Sequence, residues 1–179
     1  MSEKVLALLK KEGKYIAGVF TPDGLYTSSL PCENKADAIR DANGQSLRRE
    51  DTDERMRALE TVYAVHEGDK DASVHDIKLD FSGFTQKQVS VLKVVMKIPF
   101  GSTMSYGSVA KKAGLPGAAR FVGNVMRINR LGPAIPCHRV VSSTGLGGYT
   151  GGIDKKIDLL AREGVIRGDF TQKSLHRMP

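Results

Sequence analysis

The stretch SYGSVAKKAGLPGAARFVGNVMRIN, residues 105–129, predicts two helices joined by a tight turn. Ser105 or Ser108 begins the first helix, because a serine hydroxyl accepts a hydrogen bond from a free N–H at a helix start. Gly114 ends that helix, since glycine readily adopts the left-handed conformation that closes many helices. Pro116 opens the second helix, in the first turn where proline is tolerated. The stretch therefore indicates a helix–turn–helix.

The second of these helices is apolar on one side only. Arg120 and Arg127 project away from the apolar side. The small residues on or beside this helix are Gly117, Ala118, Ala119 and Gly123. Because small side chains leave the backbone accessible, this helix is suited to a close approach to a phosphate backbone.

Charge is distributed unevenly along the 179 residues. Residues 1–80 carry 12 Lys or Arg against 16 Asp or Glu, whereas residues 81–179 carry 15 against 4, within a net charge of +7. Clustered cations release counterions from nucleic-acid phosphates on binding, so the basic half fits a nucleic-acid partner. A solvated basic surface explains the same counts equally well.

The N-terminal part, residues 1–81, is predicted to be a small α/β domain. Its expected elements, in chain order, are a short helix over Val5–Lys11, two strands flanking the turn Pro22-Asp23-Gly24, one or two helical turns over 33–44, a helix over Thr52–His66 and a strand over 74–81. The turn is expected because proline sets φ and glycine takes a positive φ. The long helix is expected because apolar residues recur at helical spacing before Gly68.

The C-terminal part, residues 82–179, is predicted to be mostly helical. Thr85 and Gln88 have the spacing of a capping box, and Pro99 ends the helix that they begin. A closing helix is expected over Asp154–Glu163. The two parts together make a mixed, α+β chain of two domains.

The chain is expected to have no membrane partner. No apolar run approaches the roughly 20 residues that a membrane-spanning helix needs. The opening MSEKVLALLKKEGK has charges on both sides of a short apolar stretch and no small-residue cleavage site, so we expect no signal peptide. Cys32 and Cys137, the two cysteines, do not resemble a disulfide framework. We therefore expect a reducing, cytoplasmic location.

The segment IPCHRVV, residues 135–141, places Cys137 between a proline and a histidine. Pro136 favours an extended backbone, so we expect a rigid, extended segment around the thiol. Consecutive side chains of an extended strand point to opposite faces, so His138 acts on the thiol only if the backbone turns or a water intervenes. The residues by themselves leave a structural cysteine and a reactive one both open.

The segment GLGGYTGG, residues 145–152, is rich in glycine but lacks the spacing of a phosphate-binding loop. It predicts either a flexible loop that closes over a ligand or a plain surface turn.

Several segments together resemble the O6-alkylguanine-DNA alkyltransferases, also called methylated-DNA–protein-cysteine methyltransferases. They are IPFGSTMSYGSVAKKAG (98–114), AARFVGNVMRIN (118–129), the Pro-Cys-His-Arg core, GGYTGG (147–152) and LLAREG (159–164). The resemblance runs from about Phe84 to Val165, and residues 1–80 match no specific motif. It implies a ribonuclease-H-like N-terminal domain followed by a winged helix-turn-helix-like domain that binds DNA and carries the active site.

The resemblance also implies an activity, namely direct-reversal DNA repair. A methyl or other alkyl group on O6 of guanine, or a methyl on O4 of thymine, in double-stranded DNA passes irreversibly to Cys137. The target base is inaccessible inside a stacked duplex and must be extruded. The product is a thioether, which has no easy leaving group, so each molecule acts once. We expect a monomer that needs no cofactor.

Residue roles follow from the same resemblance. Cys137 is the acceptor thiolate, and His138 passes its proton through a water toward Glu163. Tyr106 donates a proton toward N3 of the departing guanine, and Asn129 ties down the loop that carries the cysteine. A relay of this kind supplies the base and the acid that the displacement needs.

The remaining implied roles concern DNA and the substrate pocket. Arg120 enters the duplex and fills the vacated stack, and Ala119, Gly123 and Tyr106 face the DNA. The pocket residues are Val140, Tyr149 and Thr150.

This chain departs from the family pattern at two positions. Arg130 follows Asn129 where many members have proline, so we expect a looser loop. Thr150 stands where many members have serine, and its extra methyl is expected to narrow the pocket toward small alkyl groups.

Other interpretations stay open from the sequence. A non-catalytic alkylated-DNA-binding protein and a winged-helix transcription regulator share the helix–turn–helix, although neither needs a nucleophilic cysteine. A cysteine hydrolase lacks support, because no oxyanion-hole signature appears. Cys32, His66 and His75 do not have the spacing of a four-ligand zinc site, so no metal is expected.

Overall fold

The chain forms two groups of elements, and the computed structural model describes residues 3–166. The N-terminal unit runs to Gly83 and also takes in Arg130–Ala134, and the C-terminal unit holds Phe84–Asn129 and the described chain from Ile135 onward. The N-terminal unit contains β1 (Val5–Lys11), β2 (Lys14–Thr21), β3 (Gly24–Ser28), α1 (Lys35–Asp41), α2 (Asp53–Glu67) and a 3-10 turn (Val74–Asp76). The C-terminal unit contains α3 (Gln86–Met96), β4 (Met104–Ser105), α4 (Tyr106–Lys112), α5 (Ala119–Arg127), a 3-10 turn (Cys137–Arg139), β5 (Val140–Val141) and α6 (Ile153–Arg162).

The first three strands form one antiparallel sheet in the order β1-β2-β3. β1 pairs with β2 from Val5 opposite Phe20 to Lys11 opposite Lys14. The helix expected at this first element is therefore wrong. The apolar run Val5–Leu9 is buried throughout, and a short continuous apolar run has the same appearance in a buried helix and in a strand covered on both faces.

Helices cover both faces of this sheet. On one face Ala38 of α1 packs in a cluster with Leu6 and Leu8. On the other face Leu59 of α2 lies against Gly18, where an added Cβ would meet its Cδ2 at 2.7 Å. The sheet is thus an inner layer, which explains why β1 carries apolar residues in succession instead of in alternation.

Several elements of this unit match their predictions, including α1 within the helical turns expected over 33–44. The turn Pro22-Asp23-Gly24 lies at the β2–β3 hairpin, where Thr21 pairs with Gly24. The helix predicted from Thr52 is α2, which Thr52 caps by accepting a hydrogen bond from the Arg55 N–H at 3.4 Å. Gly68 ends it with a φ of 85°, a conformation that glycine adopts without a Cβ clash.

The strand predicted over 74–81 is wrong for most of its length. Val74–Asp76 makes a 3-10 turn, which Ser73 caps by accepting from the His75 N–H at 3.2 Å. Leu79 reaches the sheet through a single parallel bridge to Leu25. A local serine hydrogen bond here replaces the strand ladder that the alternating apolar residues suggested.

The segment Arg130–Ala134 belongs to the N-terminal unit, and its arginine is held firmly. Arg130 Nε donates to the Tyr26 carbonyl at 2.7 Å, and Nη2 donates to the carbonyls of Asp80 at 3.1 Å and Ser82 at 2.7 Å. Three carbonyls thus hold the arginine that stands in place of the proline, and the looser loop expected there stays a prediction.

The C-terminal unit opens with the predicted capping box of α3. Gln88 N donates to Thr85 Oγ1 at 3.3 Å, and Thr85 N donates to Gln88 Oε1 at 2.8 Å. The buried residues of α3 are Val91, Leu92 and Val95. The capped end and the apolar stripe fix both the start and the orientation of this helix.

Helices α4 and α5 form the predicted helix–turn–helix pair. α4 follows Ser105, whose hydroxyl accepts from the Ser108 N–H at 3.1 Å. α5 begins at Ala119, so the start predicted at Pro116 is wrong by three residues. Gly117, with a φ of 80°, keeps the chain out of the helical region before α5 begins.

Two short strands and a last helix complete the C-terminal unit. β4 and β5 pair in parallel, with Met104 opposite Val140. The predicted closing helix is α6, which ends at the C-cap Glu163 before Gly164 with a φ of 72°. Within residues 3–166, no helix combines the length and the apolar composition that a membrane crossing requires.

Candidate active site

Cys137 lies in a turn of backbone and not in the extended segment that its proline predicted. The residues Cys137–Arg139 form a single 3-10 turn that leads into β5. Cys137 N donates to the Ile135 carbonyl at 2.8 Å, and Arg139 N donates to the Pro136 carbonyl at 3.0 Å. This turn removes the objection that consecutive strand residues point apart.

His138 and Glu163 form a buried pair. The distance between His138 Nε2 and Glu163 Oε1 is 2.7 Å, and each side chain is 2% exposed. Glu163 holds this position because it is the C-cap of α6, with its N–H bonded to the Leu159 carbonyl at 3.1 Å. If His138 donates its Nε2–H to the carboxylate, the lone pair on Nδ1 remains available as a base.

Arg139 is a site residue that the sequence analysis did not identify. Its Nε donates to both carboxylate oxygens of Glu163, at 3.1 and 3.0 Å, and its Nη2 donates to Oε1 at 3.0 Å. Its Nη1 donates to the Ile98 carbonyl at 2.8 Å. The Gly101 N–H also donates to Glu163 Oε2 at 3.2 Å. Arg139 is 7% exposed, so the positive charge that balances Glu163 is itself out of solvent.

Burial and hydrogen bonding set the protonation of this network. Burial lowers the pKa of His138 below its usual value, although the hydrogen bond to Glu163 opposes the shift. Burial acts to raise the pKa of Glu163, but hydrogen bonds from His138 and Arg139 outweigh it and hold that pKa below its usual value. Near neutral pH the pair is therefore a neutral imidazole beside an ionised carboxylate.

The thiol of Cys137 is predominantly protonated. Burial raises its pKa, while a hydrogen bond from Asn129 and the positive charge of Lys156 act to lower it. Asn129 also donates its Nδ2–H to the Ile135 carbonyl at 3.1 Å. Because the thiol is the resting form, any reaction that uses the sulfur as a nucleophile needs a base within reach.

A cavity of about 410 Å³ has Cys137 among its lining residues. Its lining residues are Tyr106, Gly123, Met126, Arg127, Cys137, Gly148, Tyr149 and Thr150. The structure thus brings five of the predicted site residues to one cavity. Val140 is not among the lining residues; it lies on β5 and is fully buried.

Tyr106 and the glycine-rich segment form one wall of the cavity. Tyr106 is the first residue of α4, and its hydroxyl donates to the Gly148 carbonyl at 3.3 Å. Burial raises the pKa of this hydroxyl, so it carries its proton. A Cβ at Gly147, whose φ is 67°, would lie 2.8 Å from the Tyr106 ring. Leu146 is 2% exposed, so this segment is not the plain surface turn that composition left open.

Tyr149 and Thr150 come from the same segment. The Tyr149 ring meets the His138 ring edge to face, with 6.5 Å between centroids. Burial raises the pKa of the Tyr149 hydroxyl far above its usual value. Thr150 adds a hydroxyl and a methyl to the cavity lining.

Lys156 is a second residue that the sequence analysis missed. It is fully buried in α6, and its Nζ donates to the carbonyls of Val140 and Leu146 at 2.6 Å each and to that of Gly148 at 3.2 Å. Burial lowers its pKa to about 8. A signal was present in the sequence, because Lys156 lies three residues after Ile153 and therefore falls on the apolar face of that helix.

The residues predicted to face DNA lie on α5. Ala119 and Arg120 occupy its first turn, and Arg120 is exposed. Neither belongs to the cavity lining, whereas Gly123, one turn later, does. In the part of the chain that the structure describes, no three His, Cys, Asp or Glu side chains are grouped so that they could hold a metal ion.

Comparison with known proteins agrees with this arrangement. Residues 86–165 match the family model described as 6-O-methylguanine DNA methyltransferase, DNA binding domain. A methylated-DNA–protein-cysteine methyltransferase from Mycolicibacterium paratuberculosis is 46% identical over 89 residues, which are 49% of this chain and 53% of that protein. The chain thus spans about half the length of this and other curated mycobacterial relatives that it matches.

Longer matches extend into the N-terminal unit. The protein of the same name from Methanocaldococcus jannaschii is 32% identical over 160 residues, which are 87% of this chain and 92% of that protein. The crystal structure of Mycobacterium tuberculosis OGT in complex with DNA superposes with a TM-score of 0.67 at 28% identity, over 89% of this chain and 92% of that one. These matches confirm the resemblance and the mixed α/β class. The chain belongs to the methylated-DNA–protein-cysteine methyltransferase family.

Proposed function

We propose that this protein repairs DNA by taking the methyl group of O6-methylguanine onto Cys137. The observation that carries the proposal is Cys137 at the wall of a cavity of about 410 Å³, followed directly in the chain by a histidine whose Nε2 lies 2.7 Å from a buried carboxylate. The names of the relatives support the same activity. The methyl group stays on the sulfur, so each molecule acts once.

The proposed reaction is a single displacement. The Cys137 sulfur attacks the methyl carbon, an S–C bond forms and the C–O6 bond breaks with its electron pair going to the purine. The thiol proton passes to His138, through a water, and Glu163 stabilises the imidazolium that results. The resting protonation states supply a donor and an acceptor for this proton, because the thiol is protonated and the imidazole is neutral.

The departing purine takes up one proton, which is separate from the thiol proton that His138 receives. Tyr106 lies on the cavity wall and its hydroxyl is protonated, so we assign it as the acid that serves N3 of guanine. Its hydrogen bond to the Gly148 carbonyl has to open for this step. Asn129 is assigned the role of tying the cysteine loop, through its hydrogen bond to the Ile135 carbonyl.

Double-stranded DNA is the proposed partner. The α4–turn–α5 pair together with the β4–β5 strands supports a winged helix-turn-helix-like domain over residues 82–179. Arg120 is exposed at the start of α5 and is assigned to fill the stack that the extruded base vacates. Ala119 and Gly123 are assigned to the same DNA-facing helix.

The pocket residues Val140, Tyr149 and Thr150 are proposed to receive the extruded base. O4-methylthymine is a second candidate substrate, since it presents a methyl on an exocyclic oxygen in the same way. The methyl of Thr150 favours small alkyl groups over benzyl. Equal rates on O6-benzylguanine and O6-methylguanine would contradict this selectivity.

The overall organisation is also proposed. Residues 1–81 form a ribonuclease-H-like domain, for which the sheet β1-β2-β3 with helices on both faces is the support. The protein acts as a monomer in the cytoplasm, without a cofactor. Each of these assignments remains a prediction.

Intact mass measurement tests the activity. The protein is incubated with a duplex oligonucleotide that holds one O6-methylguanine, and its mass is recorded before and after. We expect a gain of one methyl group in the wild type and in Cys32→Ala, and none in Cys137→Ala. Binding without a mass change would support a non-catalytic binder, and repeated turnover would exclude self-methylation.

A second experiment tests the DNA role of Arg120. In Arg120→Ala we expect transfer from duplex DNA to slow by at least tenfold, a loss of about 1.4 kcal/mol, while reaction with free O6-methylguanine base is unchanged. Lys97→Ala, which removes another exposed cation of the C-terminal unit, serves as the control. Equal losses on duplex and free base would remove Arg120 from the proposed role.

A further inference from the structure

Arg130 makes an unusually complete set of contacts for a half-buried arginine. Its Nε and Nη2 donate to the three carbonyls of Tyr26, Asp80 and Ser82. Its guanidinium carbon also lies 4.0 Å from the centre of the Tyr26 ring. A planar fork and a stacking face are both used, so the site suits arginine and no other cation.

The backbone around Arg130 is fixed as well. Ser28, the last residue of β3, donates its N–H to the Arg130 carbonyl at 3.1 Å. Its Oγ donates to the Gly132 carbonyl at 2.8 Å. The segment Arg130–Ala134 is therefore held through its side chain and through two backbone carbonyls.

The segment Arg130–Ala134 lies in the sequence between two residues of the C-terminal unit, which is the unit that carries the thiol. Asn129 precedes it and Ile135 follows it, and Asn129 Nδ2 donates to the Ile135 carbonyl at 3.1 Å. The same carbonyl accepts from the Cys137 N–H at 2.8 Å. The side chain of Asn129 also makes a hydrogen bond to the Cys137 thiol that acts to lower its pKa.

We propose that Arg130 is a positioning residue for Cys137. Arg130 fixes the segment between Asn129 and Ile135 and thereby sets the distance between the two ends of that segment. At this distance the Asn129 amide reaches both the Ile135 carbonyl and the Cys137 sulfur. This inference rests on the proposed function for its consequence in methyl transfer, but its physical content is the environment of one thiol.

Several other groups act on that thiol and are not changed by the proposal. Lys156 contributes a positive charge, and His138 contributes a backbone N–H. Tyr106 and Tyr149 interact electrostatically with the sulfur. All four lie outside the segment Arg130–Ala134.

The test measures the ionisation of the thiol directly. In a Cys32→Ala background, the rate of alkylation of Cys137 by iodoacetamide is recorded as a function of pH, by intact mass. We expect the midpoint to move upward by about one pH unit in Arg130→Met, the size of shift that loss of one hydrogen bond to the ionised form produces. Arg130→Lys, which keeps the charge and loses the fork, should give a smaller upward shift.

Matched variants separate positioning from a general loss of stability. Arg55→Met removes another half-buried arginine of the N-terminal unit, one held by the carbonyl and carboxylate of Glu50, and should leave the midpoint unchanged. Asn129→Ala should shift the midpoint by itself, and adding Arg130→Met to it should cause no further shift. An additive double variant, or an unchanged midpoint in Arg130→Lys and Arg130→Met, overturns the proposal.

The outcomes also separate this inference from the proposed function. If wild-type protein gains a methyl group while the alkylation midpoint is the same with and without Arg130, the repair activity stands and the positioning role fails. If the midpoint responds as expected while no methyl group is gained, the positioning role stands and the repair activity fails. Should Arg130→Met not fold, Arg130→Lys and the Asn129→Ala cycle built on it decide the question.

Discussion

Replacing Glu163 with glutamine should damage stability and reaction rate together. The carboxylate accepts at Oε1 from His138 and Arg139, and at Oε2 from Arg139 and the Gly101 N–H. Both oxygens therefore face donors. In either orientation of the new amide, its NH₂ group points at an N–H, so one contact becomes a repulsion.

The size of both effects follows from the groups that lose their partner in Glu163→Gln. Arg139 is 7% exposed and loses the charge that balances it, and a buried ion pair broken in this way costs about 3–5 kcal/mol. His138 loses the carboxylate that stabilises its protonated form, and general-base catalysis contributes about 10²–10⁴-fold in rate. We therefore expect Glu163→Gln to lower the free energy of unfolding by about 3–5 kcal/mol and to slow methyl transfer by at least a hundredfold.

Urea unfolding and single-turnover mass measurements at low temperature give both quantities. Asp158→Asn on the same helix is the control, because Asp158 pairs with Arg162 at 2.9 Å with its side chain 58% exposed, and such a surface pair is worth about 0.3–0.5 kcal/mol. Adding Arg139→Met to Glu163→Gln removes the stranded charge and should recover part of the stability. Glu163→Gln as stable as Asp158→Asn, or a double variant as unstable as the sum of its parts, would refute this reasoning.

Three further outcomes are expected. Lowering the pH from 7 to 5 should destabilise the protein, because the unfolded chain protonates His138 near pH 6.5 while burial lowers its folded pKa; urea unfolding of His138→Gln should vary less over this window. The free energy of unfolding of the wild type should rise relative to that of Lys156→Met by up to about 3 kcal/mol between pH 8 and 10.5, because the folded lysine has a pKa of about 8 and the lysine of the unfolded chain stays protonated to higher pH; parallel unfolding titrations measure it. Gly147→Ala should lose about 1–2 kcal/mol of stability, from its φ of 67° and the 2.8 Å approach to Tyr106, whereas Gly148→Ala, with open space around its Cβ, should lose less by the same unfolding assay.

Helices whose ends are marked by capping residues could be predicted from the sequence. α2 lies between Thr52 and Gly68, and α3 begins with the Thr85–Gln88 box, because each of these signals is local. β1 could not be predicted in the same way. Its apolar run becomes a strand only because α1 and α2 cover the two faces of the sheet, and that covering is a property of the tertiary structure.

The residues of the candidate site likewise fall into those that could be predicted from the sequence and those that could not. The family resemblance predicted that Cys137, Tyr106 and Thr150 belong to one site, and all three line the same cavity. Arg139 and Lys156 were missed, since charged residues are expected at the surface. Their burial is intelligible only after the carbonyls and the carboxylate that receive their hydrogen bonds are known.

The distribution of charge in the resting site bears on how the proposed reaction is controlled. Burial keeps the proton on Cys137, whereas Arg139 keeps Glu163 ionised at a comparable depth. The negative charge is thus held next to His138 and not on the sulfur. Because the protein supplies this charge before any base arrives, no reorganisation is needed when the imidazole accepts the thiol proton. A permanently ionised sulfur at Cys137 would be open to any electrophile that enters the cavity, and under the proposed single-turnover reaction such an adduct would end the activity of that molecule. In the proposed reaction the histidine–carboxylate pair is already in place to take up the thiol proton when the methylated base is bound.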